Sequence, residues 1–496
     1  MITAALFSTV QRSNLAGQVT PGLTRMSQPA ASEAPRWGVS SLDWRSHAVD
    51  ESAEHPGGGM SPAAGSGWSW APPSLTRHPA RCACPACARQ PLTRHSVGFV
   101  VFDVERARRD TPGVRRVAHL NNAGAALPPV QVTEAVIAHL RREAECGGYE
   151  AAEAAGEQIE ATYIAIAQLI SCEVDEVAVV ENATRAFDMA CYAMAFAPGE
   201  RILTSHAEYA SNAIALLQIA GRTGALVEVV DDDEHGQISL TDLRHRLTRG
   251  GPVRLIALTH VPTQGGLVNP AEQVGALARQ AGVPLLLDAC QSVGQLPIDV
   301  QRIGADLLCA TGRKYLRGPR GTGFLYVRRS LLDRLEPPFL DLHAATWTAP
   351  ERYEIRPDAR RFETWETNCA SKIGLGVAID YALSWGLEAI EARVTALAEE
   401  LRTRLRGLDG VRVHDQGRRR CGIVTFTVDG VPAPEVRRRL ASSGVNTSVS
   451  HASSARLDLP RRGLSELVRA SVHYYNTDEE LDQLVIALPR AAKSAG

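Results

Sequence analysis

From Asp103 onward, apolar runs of four to eight residues alternate with longer stretches of helical periodicity. That alternation confines the chain to an α/β architecture whose sheet is mainly parallel and covered on both faces. The runs lie at 177–180, 202–204, 226–230, 255–260, 284–287, 306–310 and 323–327, which predicts seven strands. Helical segments fall between them, for example at 183–196 and 271–281. After about residue 370 the pattern becomes mixed, with long helices at 372–385 and 387–405 and short strands at 421–428 and 467–474. The expected organisation is a large domain over 98–369, its first residues packing on a smaller α+β domain over 370–496.

Residues 1–97 follow a different rule. They are rich in Pro, Gly, Ser and Ala, as in 56-PGGGMSPAAGSG-67, and show no periodicity, so a disordered low-complexity extension is expected. Within it, 82-CACPAC-87 resembles half a zinc site, with His78 and His95 available as further ligands. Because a lone CxCxxC lacks a second spaced pair, the favoured reading is a cysteine-containing flexible tail, and no metal is expected.

A formal charge of −2 gives no general attraction to nucleic acid or acidic membranes, and neither is expected as a partner. No window approaches the roughly 18–20 uninterrupted apolar residues of a spanning helix. The first residues lack a basic region ahead of their short apolar run, which argues against a secretory signal. Ten cysteines are scattered through the chain, several of them in apolar contexts such as Cys191 and Cys309, and this fits a reducing cytoplasm.

In an open parallel sheet, ligands sit beyond the carboxyl ends of the strands, so the residues that follow each run belong together. They include Ala183 and Thr184 opening a helix, His206 and Tyr209, then Asp288 and Gln291, then Thr311, Arg313 and Lys314 in 311-TGRKYLRGPRGTG-323. This inventory suits pyridoxal phosphate. A lysine amine whose pKa is lowered by burial joins the cofactor's aldehyde, the task assigned to Lys314. Asp288 keeps the ring nitrogen protonated and Gln291 bonds the ring hydroxyl. Backbone N–H groups at Ala183 and Thr184, with Thr311 and Arg313, hold the phosphate. Tyr209 supplies an aromatic plate over the ring.

With these pieces in place, the sequence from about Leu120 onward resembles the class V aminotransferase superfamily of fold-type I pyridoxal phosphate enzymes. That superfamily includes cysteine desulfurases, C–S lyases and isopenicillin N epimerase. The resemblance rests on 120-LNNAG-124, 208-EYASN-212, 288-DACQ-291, 311-TGRKYLRGPRGTGFLY-326, 361-RFETWETN-368 and 469-RASVHYYNT-477. It implies a homodimer with its sites at the subunit interface and Thr367 near the partner's phosphate. It also implies that Arg469 holds the substrate α-carboxylate. Apart from the resemblance, Asn122, His343, Trp347 and the loop 446-NTSVSHASS-454 are candidates for substrate contacts, with ordinary core or loop roles open for each.

Two departures matter. Where cysteine desulfurases carry a nucleophilic cysteine, 444-GVNTSVSHASSARL-457 has none, and Ser453 falls nearest that position. The stacking histidine is replaced by Tyr209, whose phenol can act as an acid, with His206 as a second candidate. The expected reaction is α-proton abstraction from an amino acid or amino-acid conjugate, followed by β-elimination as in a C–S lyase. Epimerisation and transamination remain open.

Overall fold

The computed structural model describes residues 102–488, all within one compact unit. The low-complexity extension and its 82-CACPAC-87 stretch lie outside the described residues. Seven strands form the large sheet: β1 Val177–Val180, β2 Arg201–Ser205, β3 Leu226–Val230, β4 Val253–Thr259, β5 Leu285–Asp288, β6 Leu307–Thr311 and β7 Gly323–Val327. Their order is β1-β7-β6-β5-β4-β2-β3, with β7 antiparallel to its two neighbours and every other pairing parallel. Each expected run is a strand, with bounds unchanged or moved by one or two residues.

Two-sided burial explains why those runs are continuously apolar. In β5, Leu285 and Leu287 enter one hydrophobic cluster and Leu286 enters the other, and none of the three is exposed. In β6, Leu308 and Ala310 alternate with Leu307 and Cys309 in the same way. Side chains of successive residues point to opposite faces, so a strand covered on both sides has no place for a polar group until it ends.

Four helices follow or flank the strands that matter here: α1 Ala183–Tyr192, α2 Ala210–Thr223, α3 Ala271–Ala281 and α4 Cys369–Leu383. The helix predicted to reach residue 196 stops at Tyr192, because Pro198 and Gly199 turn the chain toward β2. A second sheet comprises β8 Val411–Val413, β9 Ile423–Val428, β10 Ser448–His451 and β11 Glu466–Ser471, in the antiparallel order β8-β9-β11-β10. Ala118–His119 pairs with Val445–Asn446, so the segment that precedes the large sheet is stitched to the C-terminal part. The strand predicted to run to residue 474 ends at Ser471. Asn476 then accepts the His473 N–H at 2.7 Å and turns 473-HYYN-476 back. Among the described residues, no single helix is long and apolar enough to cross a membrane.

Arg317 joins the two parts. It belongs to the loop after β6, has a left-handed backbone (φ 62°) and is almost wholly buried. Its backbone N–H donates to Lys314 O at 2.9 Å, and its guanidinium donates to Leu127 O at 2.9 Å and to the Tyr474 hydroxyl at 2.7 Å. The aromatic faces of Tyr475 and Tyr474 lie 4.7 and 5.2 Å from its Cζ, and they stabilise the buried cation. Replacing Arg317 with Met keeps an unbranched chain but strands these acceptors. The substitution is expected to cost about 2–4 kcal/mol, read as a lowered midpoint of thermal or urea unfolding.

Candidate active site

Lys314 lines a cavity of about 420 Å³ at the carboxyl ends of β4, β5 and β6. Of the residues expected at the site, Ala183, Thr184, Tyr209, Asp288, Gln291, Thr311 and Arg313 line the same cavity. Asn182 caps α1 by accepting the Arg185 N–H at 2.9 Å, which turns the helix's first N–H groups, at Ala183 and Thr184, toward the space. Gly323 makes that approach possible, since a Cβ there would meet Ala310 O and Asn182 C at 2.7 Å.

Asp288 is buried and held from two sides. Its Oδ1 accepts the Cys290 N–H at 2.9 Å and its Oδ2 accepts Asn212 Nδ2 at 2.8 Å. Behind Asn212 stands Glu208, also buried, which accepts Asn212 Nδ2 at 2.9 Å, the Tyr209 N–H at 2.7 Å and the Thr204 hydroxyl at 2.7 Å. Burial pushes the Glu208 carboxyl up, and the hydroxyls of Thr259 and Thr204 oppose that shift. One carboxylate therefore orients both the residue that fixes Asp288 and the backbone of Tyr209. The sequence pointed to 208-EYASN-212 without separating Glu208 and Asn212 from ordinary helix-capping residues.

Gln291 Nε2 donates to Ala123 O and to Thr263 Oγ1, each at 3.1 Å, while its Oε1 is buried without a partner. A ring hydroxyl would satisfy that acceptor. Thr311 turns its hydroxyl to Thr322 O at 3.2 Å, and Arg313 donates to Gly124 O at 2.6 Å. Burial lowers the pKa of Lys314, with Arg313 and Arg469 lowering it further and Cys290 and Asp288 opposing. A lowered pKa leaves more of the amine neutral near pH 7, the form that attacks an aldehyde.

Arg469, in β11, is buried, which brings its pKa down to about 10. It stands behind Thr263, which lines the cavity. Asn121 Oδ1 takes its Nη2 at 3.2 Å, and its Nε is buried without a partner.

Three expectations are corrected. Asn122 is fully buried and its amide donates to His119 O and Ser471 O, at 3.1 and 2.7 Å, so it braces the chain; its neighbour Asn121 is the residue that reaches Arg469. His206 is turned from the cavity toward Leu457 O, Asp231 and Arg461, where burial and the Arg461 charge lower its pKa, and it does not serve as the acid. Thr367, expected near a partner's phosphate, lies in a second cleft of about 750 Å³ together with Gly321 and Thr322, apart from the cavity of its own chain. His343 lines that second cleft, and Trp347 is exposed on a hairpin of Ala345–Ala349 and Arg352–Ile355.

Residues 118–484 match the family model of class V aminotransferases. The chain belongs to the class V aminotransferase family. A probable cysteine desulfurase of Xylella fastidiosa is 32% identical over 414 residues, covering 79% of this chain and 97% of the relative. One from Methanothermobacter thermautotrophicus is 28% identical over 392 residues, covering 78% and 97%. Among solved structures, the apo cysteine desulfurase of Thermococcus onnurineus NA1 superposes with a TM-score of 0.72 at 25% identity, covering 77% of this chain and 96% of that one. The cystine C–S lyase C-DES superposes at 0.69 with 23% identity, covering 76% and 98%, and shares the fold. As a class V enzyme the protein uses pyridoxal phosphate, and the cavity fits it: an acceptor for the ring nitrogen at Asp288, an orphaned acceptor at Gln291, a helix N-terminus at Ala183 and an amine at Lys314.

If Lys314 is the attachment point, borohydride treatment should fix the cofactor to Lys314 alone, as read by peptide mass spectrometry. Reaction of the apoenzyme with pyridoxal should persist to lower pH than reaction with free lysine, because burial lowers the Lys314 pKa.

Proposed function

We propose that this class V enzyme cleaves the Cβ–S bond of cysteine or a cysteine S-conjugate by β-elimination, without storing sulfur on a cysteine of its own. The reading rests chiefly on a cavity-lining lysine of lowered pKa together with a buried arginine, Arg469, that is held directly behind the cavity by Thr263 and whose Nε has no partner among the described residues. Such a pair suits an α-amino acid, whose amine and carboxylate are held a few ångströms apart. The pocket's cysteine, Cys290, is fixed by its own N–H beside Asp288, and the stretch where a desulfurase carries its nucleophile presents an exposed Ser453.

Pyridoxal phosphate supplies an aldehyde that captures the substrate amine and a cationic ring that withdraws electrons from the adjacent carbon. Asp288 keeps a proton on the ring nitrogen, since a buried carboxylate fixed by two donors is an acceptor of set direction. Arg469 holds the carboxylate and thereby presents the Cα–H to Lys314, whose Nζ takes the proton. The Cβ–S bond breaks with its electron pair leaving on sulfur, and the phenol of Tyr209 protonates the departing thiolate. Water enters from solvent, and the three-carbon remainder leaves as pyruvate and ammonium.

With L-cysteine or an S-conjugate as substrate, the expected products are pyruvate, ammonium and sulfide or thiol in equal amounts. Alanine in place of pyruvate, with a persulfide on a protein cysteine, would instead make the enzyme a desulfurase.

The same reading includes a homodimer. The second cleft that holds Thr367 and Gly321 is bordered by the exposed apolar side chains of Leu140, Tyr149 and Trp365, a surface suited to a second copy of the chain. Sedimentation should give twice the chain mass, and Tyr149→Lys combined with Trp365→Lys should shift it toward the monomer.

A further inference from the structure

The contacts around Thr263 single it out. Arg469 Nη1 donates to Thr263 Oγ1 at 2.5 Å and to its backbone oxygen at 3.2 Å, and Gln291 Nε2 donates to the same Oγ1 at 3.1 Å. A threonine hydroxyl has two acceptor positions and one proton. Both acceptor positions are taken, so the hydroxyl proton is the one group left, and Thr263 lines the cavity.

The guanidinium shows the complementary count. Nη1 is committed to Thr263 and one Nη2 proton to Asn121 Oδ1, which leaves Nε–H and one Nη2 N–H. Two remaining donors on one planar cation match the two oxygens of a carboxylate. Among the described residues Arg469 has no carboxylate hydrogen-bond partner, and a buried cation without one needs fixed neutral acceptors to hold its plane.

We propose that Thr263 is a positioning residue for substrate-carboxylate recognition: its hydroxyl locks the guanidinium of Arg469 and couples it to Gln291, so that carboxylate and cofactor are aligned by one side chain. The inference rests on an α-amino-acid substrate and is independent of which bond is broken afterwards. Thr263 selects for α-carboxylates over the corresponding amines through the orientation it gives Arg469.

The test uses the holoenzyme and L-alanine, which has no β leaving group, with ethylamine as its partner lacking the carboxylate. Binding is read from the change in the cofactor's visible absorption. Thr263→Val removes the hydroxyl at nearly constant shape and should weaken alanine binding about tenfold or more. Ethylamine binding and cofactor affinity should stay within about threefold of the parent, a margin below 1 kcal/mol. Thr263→Ser should restore alanine binding. Unchanged alanine affinity in Thr263→Val would overturn the proposal, and so would equal losses for alanine and ethylamine or a parallel loss of cofactor. Failure to release pyruvate from cysteine conjugates bears only on the elimination chemistry and leaves this measurement intact.

Discussion

Burial of the large sheet on both faces is the constraint from which the rest follows. Leu285, Leu286 and Leu287 are fully enclosed, as are the middles of β4, β6 and β7, so a polar side chain within those strands would lose its water without finding a partner. Polar chemistry is therefore pushed to the residues at and just beyond the strand ends. Asp288 is the last residue of β5, Thr311 the last of β6, and Thr263 and Lys314 follow within four residues of theirs. The cavity is where parallel strands run out together, and its contents are set by what each loop carries there.

Within that rim the electrostatics are asymmetric. Arg313, Lys314 and Arg469 bring cationic groups to one region, while the carboxylates are Asp288 and, one layer behind, Glu208. Two buried carboxylates linked through Asn212 repel each other, and Asp288 helps to raise the Glu208 pKa. The donors from Thr204, Thr259, Asn212 and the Tyr209 backbone offset that cost and confine Glu208 to one orientation. The excess of positive charge is what a phosphate and a carboxylate require, and Arg313 and Arg469 add to the burial that chiefly lowers the Lys314 pKa despite a neighbouring aspartate.

How much of this was legible in the sequence follows the same logic. Continuous apolar runs have one physical meaning in an α/β chain, so the strands and the rim residues Asp288, Gln291, Thr311 and Lys314 could be located from pattern alone. What failed depended on direction. Asn121 forms an isolated bridge with Ser471 and Asn122 opens the turn that follows, and the sequence does not say which of the two faces Arg469. His206 follows β2 closely enough to reach the cavity, yet its orientation is decided by Leu457 and Arg461, some 250 residues later, as the contact separations of 251 and 255 record. Glu208 and Thr263 lie at strand ends legible in the sequence, but their roles were not, for a related reason. A glutamate near a helix start and a threonine in a loop are ordinary, and their importance lies in accepting several donors at once, a property of the fold.

The division of labour between the two sheets sets how a substrate must be read. Lys314 and Asp288 belong to the rim of the large sheet, whereas Arg469, the arginine proposed to hold the substrate carboxylate, comes from β11 of the small sheet. Two devices fix the spacing between them. Arg317, next to the Lys314 turn, is clamped among the aromatic rings of Tyr474 and Tyr475 that follow β11. Thr263, after β4, receives Arg469 directly. Displacement of the small sheet would move the carboxylate site and the lysine loop together, because the same C-terminal segment holds both. On the proposed reading, leaving-group chemistry changes through residues such as Tyr209 and the 444–457 stretch while recognition of an α-amino acid is unaltered, so a class V scaffold similar to cysteine desulfurases lacks a cysteine in that stretch and keeps its lysine, aspartate and arginine.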